Sequence, residues 1–359
     1  MMRSRFTIAG MTLLSAALLV VPRPAAAQAE LVYVCVQDEA RIAVIDAGKH
    51  ELVRTIDLTA LGFSSSAKPH HVVSEPDGSF VYVSLIGDNR VIRLDANDRV
   101  TGQVPMETPG MVSLDSGRNR LLVSRSMSAV NPPRRIAVVE LPAFEIEEID
   151  VFMPRPHPMF TAGNGYAYTG SLGENQIASI ELESGIVELV DVEGPPHSFV
   201  QFASSPDGRV LVASTEVSGL LLVFDLATPS QPRFLRSIDL GPIAFDPVFS
   251  PDGRTVWVPI KGADEIAIVN AEDWSVTHRI ADPAFSHPHA IVFSSDGRSA
   301  FVSNNGGAAM HHAEGASHNA AATAGATGSV AIIDVGSRNV VASIPLGANV
   351  TGLGVRAQR

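Results

Sequence analysis

Ser250-Pro251-Asp252-Gly253-Arg254 closes one apolar run, Pro247-Val248-Phe249, and opens another, Val256-Trp257-Val258. An Asp-Gly pair between two such runs is the strongest short hairpin signal, because the central residues of such turns must accept positive φ. Equivalent turns fall at Asp77-Gly78, Ser116-Gly117, Asn164-Gly165, Asp207-Gly208 and Asp296-Gly297, spaced 39 to 48 residues apart. The residues around each turn also repeat. A Pro-x-apolar strand precedes it, and a second apolar strand follows. After a short polar turn come a third strand ending in a carboxylate and a last strand.

The second strands align as Val32-Tyr33-Val34-Cys35, Val81-Tyr82-Val83-Ser84, Leu121-Leu122-Val123-Ser124 and Ala300-Phe301-Val302-Ser303. Cys35 thus stands where other units carry serine, and reads as a small buried residue. The third strands close on Asp46, Asp95, Asp225 and Asp334, with Glu140, Glu181 and Asn270 as substitutes. Units starting near Lys68, Thr108, Arg155, Pro196, Gly241 and Ser286 hold four strands each. Residues 30–58 supply three strands and residues 347–355 one. Four-stranded units of ~40–45 residues repeated radially are propeller blades. Pairing the C-terminal strand with the N-terminal three removes the open edges of a linear array. The sequence therefore predicts an all-β, seven-bladed β-propeller closed by its two ends.

The units resemble the YVTN-repeat propellers of exported bacterial proteins. Val32-Tyr33-Val34, Ser250-Pro251-Asp252-Gly253-Arg254 and Val330-Ala331-Ile332-Ile333-Asp334 carry the resemblance, which spans residues 30–359. It implies the propeller fold and, because that fold hosts binding proteins, lactonases, lyases and redox enzymes, no single activity.

Residues 1–29 read as an address. Arg3 and Arg5 precede the uncharged stretch Thr7–Val21, and Pro22, Pro24 and the run Ala25-Ala26-Ala27-Gln28-Ala29 follow. This is the pattern of a cleaved signal peptide, and the stretch is short for a span of ~20 residues. No other segment approaches that length, so no membrane span is expected after signal removal. Cleavage takes away three arginines and no acid, moving the formal charge from −12 to −15. A periplasmic or secreted product is expected. Its acidity and lack of Lys/Arg runs argue against nucleic-acid binding. A lone cysteine excludes an internal disulfide and Cys-based zinc or iron–sulfur sites.

Eleven histidines are the unusual count. Aligned by their proline or its equivalent, the first strands give one column: His70, Gly110, His157, His197, Asp246, His289 and Thr351. First strands line a propeller's central channel, so this column should converge on the axis. Imidazole suits zinc, copper, iron and nickel, and the column predicts a site for a transition metal, copper or zinc. His71 extends His70, and His287 lies two residues before His289, on the same face of an extended strand. Met111 could add a thioether. Channel polarity offers the plainer reading, histidines hydrogen-bonded to water or carbonyls, with Asp246 as a partner for one of them. Residues 306–327 form an Ala/Gly-rich insertion carrying His311, His312 and His318, a loop with the makings of a second capture site. His50 and His278 receive no role.

The histidine pattern also resembles, in part, the propeller of nitrous oxide reductases, in which a vicinal His pair and single histidines from other blades cradle a copper–sulfide cluster. His70-His71, His157, His197 and His289 are the matching elements. Gly110 and Thr351 depart from it, and no cupredoxin Cys/His/Met set occurs in these residues, which argues against a multi-copper cluster. A related propeller in cytochrome-type nitrite reductases carries haem with a histidine axial ligand. Cys-x-x-Cys-His is absent here, excluding covalent c-type haem. Gly-x-Ser-x-Gly, His-Glu-x-x-His and Walker motifs are absent too. The expected partners are a metal ion or small molecule in the channel and, for metal handling, a periplasmic protein. The alternatives are a metal- or haem-dependent oxidoreductase, a lactonase-like hydrolase at the channel mouth, or a scaffold binding proteins on its rim.

Overall fold

The computed structural model describes residues 29–125, 130–141, 143–307 and 327–356. They form seven antiparallel four-stranded sheets. The C-terminal strand, Val350–Arg356, pairs with Leu31–Val36 and so completes the first blade with Arg41–Asp46 and Glu51–Asp57. The predicted closure is therefore observed. Blades two to seven begin at innermost strands Pro69–Ser74, Val112–Asp115, Pro156–Thr161, Phe199–Ser204, Val248–Phe249 and Pro288–Phe293.

Burial falls outward across each blade. Val81–Leu85, a second strand, is buried throughout, whereas Glu145–Asp150, an outermost strand, is almost wholly exposed. The apolar core is accordingly a set of layers between blades. One cluster joins Tyr33, Ile42 and Val44 of blade one to Val81, Val83 and Ile92 of blade two. Another joins Val32, Val34 and Leu353 of blade one to Phe301 and Ile332 of blade seven. Each fully buried side chain of this size contributes about 1.5–3 kcal/mol.

The repeated turns have a common chemistry. Ser205, Ser250 and Ser294 donate their hydroxyls to Asp207, Asp252 and Asp296 at 2.5, 2.6 and 2.7 Å, and each aspartate also accepts the following arginine's N–H. Only the glycine of each pair is left-handed, with φ of 68–70° at Gly78, Gly208, Gly253 and Gly297. The expectation that both central residues adopt positive φ is thus corrected: these are type I turns followed by one left-handed residue. At Ser116-Gly117 the left-handed residue is Asn119, φ 54°. The carboxylates ending the third strands cap the next turn, as when Asp46 Oδ1 accepts the Gly48 and Lys49 N–H groups.

Candidate functional site

Each innermost strand is entered through a residue of positive φ that is not glycine: Lys68, Thr108, Arg155, Ser198, Ile243, His287 and Asn349, with φ between 46° and 62°. Such a conformation costs roughly 1–3 kcal/mol per residue and survives only where the surroundings fix it. The fixing bond recurs. The carbonyls of Lys68, Arg155, Ser198, Ile243, His287 and Asn349 accept N–H groups from Ile86, Leu172, Glu216, Lys261, Asn305 and Gln37, at the ends of the second strands. One channel mouth is therefore lined by the residues at these two positions in each blade.

Just inside it, the innermost strands bulge. Pro69 pairs with Leu85 and Val72 with Val83, leaving His70 and His71 opposite a single residue, Ser84. The Ser84 hydroxyl accepts the His71 N–H, and Ser124, Ser214 and Ser303 do the same for Met111, Gln201 and Ala290. The first bulge residues form the true axial column: His70, Gly110, His157, Val200, Phe245, His289 and Thr351. Two expected members are displaced. In blade five Phe199, not Pro196, occupies the proline position, so His197 lies three residues ahead of the column. In blade six Ala244 holds that position, so Asp246 is a second bulge residue and corresponds to His71.

His197 is a packing residue. Its Nε2–H donates to the Glu193 carbonyl at 3.1 Å, its Nδ1 faces the Ser218 hydroxyl at 2.9 Å, and it tilts against Phe199. His287 precedes its strand with φ 53°, which breaks the extended alternation expected to align it with His289. His311, His312 and His318 lie outside the described residues. His50 contacts the Ser299 hydroxyl at 3.2 Å, and His278 lies on an outermost strand.

The structure brings His70 and His289 together across blade one, their ring centroids 6.4 Å apart and nearly perpendicular. His70 Nδ1 is 2.9 Å from Gln37 Oε1, and His157 Nδ1 donates to the Val200 carbonyl at 2.7 Å. Both acceptors put the proton on Nδ1 and the lone pair on Nε2. His71 has the opposite tautomer, because its Nδ1 accepts the Val112 N–H at 3.3 Å. Burial, with repulsion from His157, lowers its pKa to about 4 and keeps it neutral. His289 Nδ1 lies 4.0 Å from Asp246 Oδ2, and His289 also packs on Phe245 with centroids 4.7 Å apart. Among the described residues no three His, Cys, Asp or Glu side chains come close enough to share one metal ion.

Charged groups that belong to no sequence motif lie at the mouth on blades five and six. Lys261, 6% exposed, sits with its ammonium 4.6 Å from the centre of the Phe245 ring. Burial lowers its pKa to about 8 against the opposing pull of Glu216 and Asp246. Burial raises Glu216 to about 7, with Lys261 and Arg155 opposing. Asp246 is raised to about 7 by the same cause. Glu216 and Lys261 end equivalent second strands of adjacent blades, a signal open to anyone aligning strand ends rather than motifs.

No family model matches the chain, and no curated protein matches it in sequence. Solved structures do share its fold. A functionally unknown protein from Desulfotomaculum acetoxidans superposes with a TM-score of 0.70 at 14% identity, over 90% of this chain and 98% of that one. The dihydro-heme d1 dehydrogenase NirN, solved in complex with DHE, gives 0.63 at 18% identity, over 94% and 77%. A candidate 6-phosphogluconolactonase from Bacteroides fragilis gives 0.68 at 14% identity, over 93% and 99%. At these identities the likeness establishes the propeller and assigns no activity. Among the described residues no helix is long and apolar enough to cross a membrane.

Proposed function

We propose that the protein is an exported ligand-binding propeller that holds a chelated transition metal at its channel mouth through one or two of the column histidines His70, His157 and His289. The supporting observation is the oxygen acceptor at Nδ1 of His70 and of His157. Metal-bound imidazoles are oriented in this way, the outer nitrogen donating and the inner one presenting its lone pair. With no cluster of three ligands among the described residues, a bare copper or zinc ion would lack the donor number it usually takes. A chelate brings the remaining donors itself, so one or two imidazoles suffice. The complex of NirN with DHE makes a haem-type molecule the natural first probe.

The test is titration of the purified protein with hemin, followed by visible absorption, and with Cu(II) and Zn(II), followed by calorimetry. The parent should give a saturating hemin shift and weak ion binding. A variant carrying His70→Ala, His157→Ala and His289→Ala, with its β circular-dichroism spectrum intact, should lose the shift. Identical titrations for parent and variant would overturn the reading.

A further inference from the structure

Lys261, Asp246 and Glu216 form a charged set beside the histidine column, which it meets where Asp246 Oδ2 lies 4.0 Å from His289 Nδ1. Lys261 and Asp246 are 6% and 7% exposed, and Glu216 is half-buried. The Lys261 ammonium lies against the Phe245 face, and no ion pair or hydrogen bond to it is found among the described residues. Asp246 Oδ1 and Glu216 Oε2 are buried and accept no hydrogen bond. Buried charges left in this way cost several kcal/mol unless a partner arrives. Their identities restrict that partner. An anion would satisfy Lys261 and repel both carboxylates, and a cation would do the reverse. A molecule carrying an ammonium and a carboxylate a few ångströms apart satisfies all three.

We infer that this side of the mouth binds a small zwitterion of the α-amino-acid type, its carboxylate on Lys261 and its ammonium between Asp246 and Glu216. Arg155, entering the next blade round, adds a second positive charge on the Glu216 side. Burial leaves Glu216 titrating at about 7 and Lys261 at about 8, so a zwitterion paired with them would favour the charged form of each.

Calorimetry on hemin-free protein in EDTA separates this inference from the metal reading, because neither chelate nor free ion is then present. The probes are L-alanine, L-leucine, L-glutamate and L-arginine, together with propionate and ethylamine as the two halves of alanine. At least one amino acid should bind, and either half should bind at least tenfold more weakly. Lys261→Met should abolish binding. Glu216→Gln, at a half-buried position where the fold is safe, should weaken it at least fivefold. Silence from all four amino acids, or equal affinity for propionate alone, would overturn the inference.

Discussion

Gly352 of the closing strand lies directly against His70: a Cβ built on it would stand 2.5 Å from the His70 carbonyl oxygen and 2.8 Å from the His71 Cα. Its φ is not left-handed, so closeness rather than conformation demands glycine here. The strand that shuts the propeller thus also sets where the first two histidines sit. Gly352→Ala should destabilise the protein by about 1–3 kcal/mol, the usual range for overpacking. Chemical denaturation measures this, and an unchanged midpoint would show that the strand can slide outward.

The closure has a polar lock as well. The Tyr33 hydroxyl donates to Asp98 at 2.9 Å and accepts from Arg54 and Arg356, both at 3.1 Å. Arg356 ends the C-terminal strand and is 7% exposed. Tyr33→Phe should cost about 1.5–3 kcal/mol, as hydrogen bonds to charged groups do when one partner is removed. Tyr82→Phe, which loses one bond to Glu75 at 2.7 Å, is the comparison and should cost less. Parallel urea titrations decide the order.

Glu216 predicts a pH effect of definite sign. Its folded pKa is raised from 4.5 to about 7 by burial, with Lys261 and Arg155 pulling the other way. A raised folded pKa favours the folded state fully below pH 4.5, and that advantage is lost as pH climbs to about 7. Glu216→Gln should therefore raise the melting temperature at pH 8 and leave it nearly unchanged at pH 4. Allowing for solvent contact, the gain at pH 8 should be on the order of 1–2 kcal/mol. Melting curves at both values test it, and a gain confined to pH 4 would contradict the assignment.

Cys35 is fully buried, and burial pushes its thiol pKa upward. A thiolate-selective reagent should leave it unmodified in the native protein and label it on denaturation. Prompt native labelling would mean that the first blade opens readily.

The blade number, the strand order and the closure were all legible in the sequence, because short apolar runs punctuated by Asp-Gly turns are a direct consequence of second and third strands buried on both faces. The axial column was legible only in part. Proline is an incomplete register mark, being merely one residue compatible with the position after a left-handed residue. Counting eight residues back from Asp77, Asn164, Asp207, Asp252 and Asp296 reaches Pro69, Pro156, Phe199, Ala244 and Pro288, the positions that do align. The turn is the firmer mark because its spacing is fixed by the hairpin's hydrogen bonds. The Lys261 set was invisible to motif reading. It is assembled from the ends of strands in different blades, and burial alone gives it its character.

The seven left-handed residues have an evolutionary consequence. In six of them the backbone shape is held by the bond to the residue's own carbonyl and not by the side chain, which is why lysine, arginine, serine, isoleucine, histidine and asparagine all occupy it. The mouth is thus an array of exchangeable sockets on an indifferent frame. On the proposed reading, point changes there would alter the ligand while folding proceeds as before. Divergence of ligand should accordingly outrun divergence of architecture, as a shared shape at 14–18% identity already suggests.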